Sequence, residues 1–134
     1  MEIEIEKETQ EEIISVSVIP HDKNALVTYN VENIPLCFNS KSSSAKISIL
    51  DYKKLYDEAA SLNLEKVFSE NRGQTFLDGW ELRFALKDGM TILKVEVQCP
   101  DENKNAPETG KLLALCEKVF ALVENEKSKI QTAF

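Results

Sequence analysis

The side chains able to carry chemistry are few and poorly placed for it. His21 is the single histidine. It stands beside Pro20 in a turn-forming run, residues 20–24, with no serine or cysteine at a spacing that would make it the base of a nucleophile. One imidazole also excludes a multi-histidine metal site by count. Cys37, Cys99 and Cys116 are odd in number, widely spaced and never form Cys-x-x-Cys, so neither a disulfide framework nor a zinc site is expected. Carboxylates number 23, which makes adjacent pairs such as Asp57–Glu58 and Asp101–Glu102 uninformative, because acid/base catalysis needs a cleft that perturbs them. The four glycines include Gly89 in a turn and Gly79 just ahead of a strand, and no phosphate-cradling loop is formed. The expectation is therefore a chain with no catalytic residue, no metal and no cofactor, and not an enzyme.

Charge narrows the partners. The formal net charge is −7, yet residues 1–12 hold Glu2, Glu4, Glu6, Glu8, Glu11 and Glu12 against Lys7, a local −5, and the rest of the chain carries only −2. Nucleic acid is disfavoured, since phosphate binding needs clustered Lys and Arg. A basic protein partner is permitted, as is a merely solubilising acidic end. At 134 residues, 43% apolar and 29% charged, the chain fits one domain, 1–134, large enough for its own core. No apolar run approaches the ~20 residues that cross a bilayer, and the acidic N-terminus lacks a signal-like apolar segment. A cytosolic protein with no membrane partner is expected.

Periodicity supplies the elements that would position any site. Ile3 and Ile5 alternate with glutamates, which reads as a short edge strand or a frayed end. Strands are expected over Ile14–Ile19 and Leu26–Val31, joined across residues 20–24, and over Lys46–Ile49 after a loose polar loop at 39–44. Asp51 reads as the N-cap of a helix over 51–62 that carries Tyr52, Leu55, Tyr56, Ala59 and Ala60 and stops at Asn63. Residues 64–74 are ambiguous, with Leu64, Val67 and Phe68 expected to be buried. Pro107 opens the clearest helix, over 107–127, whose stripe is Leu112, Leu115, Cys116, Val119, Phe120, Leu122 and Val123. Lys127 and Lys129 would suit its C-terminus.

The strongest local pattern runs from Trp80 to Cys99. Apolar residues alternate through Trp80, Leu82, Phe84 and Leu86 and resume through Leu93, Val95, Val97 and Cys99, around Asp88–Gly89, a dipeptide suited to a type I′ turn. A loop made of those two residues pairs Leu86 with Thr91, Phe84 with Leu93, Leu82 with Val95 and Trp80 with Val97, all on one face. The other face would then set Glu81 opposite Glu96 and Arg83 opposite Lys94, with diagonal ion pairs offsetting the repulsion. A surface whose glutamates await a basic partner is the functional reading of that face. The candidate binding residues are Asp78, Glu81, Glu96, Asp101 and Glu102.

The run Phe76-Leu77-Asp78-Gly79-Trp80-Glu81-Leu82, a hairpin, Cys99–Pro100 and a closing amphipathic helix together resemble the C-terminal half of small acidic bacterial immunity proteins. Those proteins neutralise the toxins of contact-dependent and polymorphic toxin systems. The likeness spans about residues 75–123 and implies a binding protein, without chemistry of its own, that occludes a toxin's active site; with the acidic charge, the expected partner is a basic toxin domain. A second likeness, to type III secretion chaperones, implies a homodimer, so self-association is allowed for. The expected fold is α+β: an antiparallel sheet of about five or six strands with two helices packed mainly on one face.

Overall fold

The computed structural model describes residues 1–33, 41–73 and 79–132 (of 41 and 124–132 the backbone alone). It is an α+β fold built on a six-stranded antiparallel sheet in the order β4-β3-β2-β1-β5-β6. The strands are β1 (Glu2–Glu8), β2 (Glu12–His21), β3 (Asn24–Asn33), β4 (Lys41–Ser48), β5 (Glu81–Asp88) and β6 (Thr91–Gln98). The helices are α1 (Ile49–Ala60), α2 (Leu64–Glu70) and α3 (Pro107–Thr132), with a 3₁₀ turn over Pro100–Asn103. Cys37 and Asp78 lie outside the described residues.

The acidic N-terminal segment is neither an edge nor a loose end. β1 lies inside the sheet, paired with β2 on one side and β5 on the other. Its isoleucines explain this: Ile3 and Ile5 are fully buried, while the alternating glutamates point to the opposite face and meet cations on β5. Glu is a poor strand former, but here the ladder on both sides and the charge partners outweigh that preference.

The β2–β3 hairpin follows the expected alternation, with Val16, Val18 and Val27 buried. Its loop is shorter than residues 20–24, because His21 pairs with Asn24 and leaves only Asp22 and Lys23, Asp22 in the left-handed region at φ +54°. Counting back from that closing pair, the Pro20 nitrogen faces the β1 side. The β1 ladder ends at Ile3–Val18, so the missing N–H breaks no bond. β4 takes in residues 41–44 of the stretch expected as a loose loop. Ser42 and Ser44 are exposed there, and the ladder to β3 holds the stretch in strand form.

In the β5–β6 hairpin Asp88 pairs with Thr91, Leu86 with Leu93, Phe84 with Val95 and Leu82 with Val97. The loop is therefore Gly89–Met90, and every pair is displaced by two residues from the expected register. A shift of two preserves the faces, which is why the apolar alternation could not detect it. Gly89 has φ +61° and Met90 is not among the positive-φ residues. That is the type II′ pattern with glycine first; a type I′ turn would force a second residue into left-handed backbone.

The helices cover one face of the sheet. Tyr52, Leu55 and Ala59 of α1, Val67 of α2, and Leu112, Leu115, Cys116, Val119 and Val123 of α3 pack on the inward residues of the strands. Each fully buried Leu, Val or Ile contributes about 1.5–3 kcal/mol. The N-cap of α1 is Ser48, whose Oγ accepts from the Asp51 amide at 3.1 Å. Asp51 instead sits in the first turn, where its charge complements the helix dipole. Asn63 begins a helix rather than only ending one: its side chain accepts from the Lys66 amide at 3.1 Å, which makes the ambiguous segment the short helix α2. Phe68 lies 56% exposed on it rather than buried. α3 runs past Lys127 to Thr132.

A polar clasp joins α2 to α3. Glu70, at the end of α2, accepts from the Thr109 amide and hydroxyl, both at 2.7 Å, and from the Glu108 amide at 3.3 Å, so its carboxylate satisfies the free donors of the α3 N-terminus. In return Glu108 accepts from the Asn63 amide at the head of α2, at 3.1 Å. The Asn71 amide bridges Val67 O and Thr109 Oγ1 at 2.8 and 3.0 Å. Burial raises the Glu70 pKa, but the Thr109 hydroxyl and the two amides outweigh it and hold the group below its ordinary value. Gly110 completes the joint, since a Cβ there would stand 2.7 Å from the Lys104 carbonyl oxygen.

Candidate functional site

With the helices on one side, the other side of the sheet is left open by the described residues, and its composition follows from the register. One row crosses the sheet as Ser42, Asn30, Ser15, Glu6, Arg83 and Glu96; the next as Ser44, Thr28, Ser17, Glu4, Ala85 and Lys94. Hydroxyls and an amide occupy β2–β4, and charges occupy β1, β5 and β6. A shallow depression of about 410 Å³ lies between Glu4, Glu6, Ser15, Ser17, Lys94 and Glu96.

Arg83 is the centre of this face. Its Nε and Nη2 donate to Oε2 and Oε1 of Glu6 at 3.3 and 3.1 Å, a two-point fork. Nη1 lies 3.1 Å from Glu81 and 3.7 Å from Glu8. Glu96 stands directly across the ladder. The hydrogen bond to Glu6 raises the guanidinium pKa above its ordinary value, outweighing the opposite effect of burial. Three carboxylates within 4 Å of one cation leave a formal −2 at the middle of the face, with Glu96 on the neighbouring strand. Beside it, Lys87 donates to Glu4 at 2.9 Å, and that bond raises the lysine pKa. The side chains around Arg83 are roughly a third exposed, so each of its pairs adds only about 0–1 kcal/mol to stability. The cluster matters more for the field it presents than for holding the fold.

The structure sorts the sequence-predicted site residues into two groups. Glu81 and Glu96 share the open face, though Glu96 opposes Arg83, Glu81 opposes Gln98 and Lys94 opposes Ala85. The like-charge pairing expected there is absent, a consequence of the two-residue register shift. Asp101 lies elsewhere, in the 3₁₀ turn, where it accepts from Trp80 Nε1 at 2.9 Å and lines a groove of about 380 Å³ against Leu113 and Phe120 of α3. Lys7, the one β1 side chain in that groove, sits 4.6 Å from the centroid of the Trp80 ring. Glu102 is exposed on the same turn. Asp78 lies outside the described residues.

Glu4, Glu6, Glu8 and Arg83 are site residues that the sequence reading missed. The signal was present: Glu4 and Glu6 in β1, and Arg83 and Lys87 in β5, recur on faces of matching parity, which two neighbouring antiparallel strands would bring together. Among the other reactive groups, the Cys116 thiol is buried and pushed up to about 12 by that burial, so it stays protonated and unreactive. Among the described residues no three His, Cys, Asp or Glu side chains converge as metal ligands, and no helix is long and apolar enough to cross a membrane. No family model matches this chain, and no curated protein or solved structure matches it either.

Proposed function

We propose that this protein is a non-enzymatic binding protein of the immunity type, which neutralises a cognate toxin by covering its basic surface with the open face of the sheet. The observation that carries the reading is the charge arrangement at Arg83: Glu6, Glu8 and Glu81 share a single guanidinium, and Glu96 stands opposite it on the next strand. An incoming Lys or Arg would find carboxylate oxygens with unused lone pairs, already oriented by Arg83 on a strand scaffold. Little ordering entropy would then be lost on binding. An acidic face of this kind speeds encounter with a basic partner and sets its orientation more than it adds raw affinity. The weak likeness of residues 75–123 to immunity proteins points the same way.

The test is protection in cells. The chain is co-expressed with the product of each adjoining reading frame, and growth is compared with that product alone. Protection that is lost in a Glu6→Lys/Glu81→Lys variant supports the reading. No protection by the wild-type chain, or equal protection by the variant, overturns it.

A further inference from the structure

The two edges of the sheet differ in kind. β4, at one end, shows Ser42, Ser44 and Lys46 to solvent, the polar, lysine-bearing edge that proteins use to block strand addition. β6, at the other end, carries Ile92 and Leu93, each 56% exposed, beside the fully exposed Met90 of its turn. Among the described residues no strand pairs with its outer side. We propose that this edge binds a second copy of the chain, antiparallel about a two-fold axis at Val95, joining two sheets into one of twelve strands.

The backbone limits which register is available. The Cys99 amide donates to Trp80 O at 2.8 Å, so odd-numbered residues of β6 turn their N–H and C=O toward β5, and Ile92, Lys94, Glu96 and Gln98 turn theirs to the free edge. Hydrogen-bonded pairs in a symmetric dimer must therefore form among those four. An axis at Lys94 sets lysine against lysine, and an axis at Glu96 sets glutamate against glutamate. Centred on Val95, Lys94 of each copy faces Glu96 of the other, twice, and Ile92 faces Gln98, also twice. On the helix side the exposed Leu93 gains Val97 of the second copy as its cross-strand neighbour. This register uses all four edge residues of both chains and is the one that pairs opposite charges. The strand is self-complementary in sequence, and the proposal does not depend on the toxin-binding reading.

Charge swaps test it, read by sedimentation equilibrium or light scattering at roughly 100 µM, a range in which a modest interface would still be occupied. Lys94 and Glu96 are exposed, and a circular dichroism spectrum confirms that each variant is folded. Wild-type protein is expected at twice the chain mass of 15.2 kDa. Lys94→Glu alone and Glu96→Lys alone each bring like charges together twice and are expected to be monomers. An equimolar mixture of the two restores opposite charges at both positions and is expected to return to the dimer mass. A monomeric wild type overturns the proposal, as does a dimer indifferent to either swap or a mixture that stays monomeric.

Discussion

Replacing Thr109 with valine tests the α2–α3 clasp with almost no change in shape. Thr109 is fully buried; its hydroxyl donates to Glu70 at 2.7 Å and accepts from Asn71 at 3.0 Å. Loss of the charge-assisted bond costs about 1.5–3 kcal/mol and loss of the neutral one about 0.5–1.5. Neither partner is orphaned, because Glu70 keeps two backbone amides and Asn71 keeps Val67 O. The added methyl returns about 0.8 kcal/mol. The net loss should be about 2 kcal/mol, a fall in Tm of roughly 6–10 °C for a chain of this size. Urea unfolding followed by Trp80 fluorescence measures it directly. The pH dependence adds a sharper criterion. Glu70 has its folded-state pKa depressed, so its contribution is complete above the ordinary glutamate value and disappears as pH falls through the folded value. The difference between wild type and Thr109→Val should therefore be largest near pH 7 and shrink by about pH 3. A variant within about 0.5 kcal/mol of wild type at neutral pH would refute the reasoning, as would a difference that grows on acidification.

Gly110→Ala should gain about 1 kcal/mol of helix propensity yet lose more, about 1–3 kcal/mol net, to the 2.7 Å approach of the Lys104 carbonyl; a raised Tm would contradict this. Arg83→Gln should cost about 0.5–1 kcal/mol at low salt, since Glu6, Glu8 and Glu81 lose their common cation, and the deficit should fade near 1 M salt, where the screening length is about 3 Å. Urea titrations at the two ionic strengths decide it, and a salt-independent deficit counts against the charge account. In a Cys37→Ser background, the buried Cys99 and Cys116 should react with a thiol reagent only after unfolding; rapid labelling of the native protein would contradict their burial.

The sheet faces were legible in the sequence and the pairings were not, for a physical reason. Alternation of Leu82, Phe84 and Leu86 with charged residues reports parity alone, and Asp88–Gly89 and Gly89–Met90 loops give the same parity. The two loops differ in the backbone they demand: Asp88–Gly89 as type I′ holds Asp88 as well as Gly89 in left-handed backbone, whereas Gly89–Met90 as type II′ holds only the glycine there. The place of β1 was hidden for another reason. Its partner β5 lies some eighty residues away in the chain, and composition drew attention to the glutamates rather than to Ile3 and Ile5 between them. Of the candidate site, Glu81 and Glu96 were found through the hairpin, while Glu6 and Arg83 required the long-range pair. Asp101 stands apart from them because the 3₁₀ turn after Cys99 sends it to Trp80 on the helix side.

The central claim is that the acidic open face meets a basic protein surface. Its most direct test is the association rate, by stopped flow, between the chain and whichever adjoining gene product it protects against in co-expression, for wild type and for Glu6→Gln/Glu81→Gln/Glu96→Gln. Binding is expected to be fast and to weaken steeply with salt, with an association rate at least about tenfold lower in the triple variant. No complex with the wild-type chain, or a rate that neither salt nor the triple substitution changes, would contradict it.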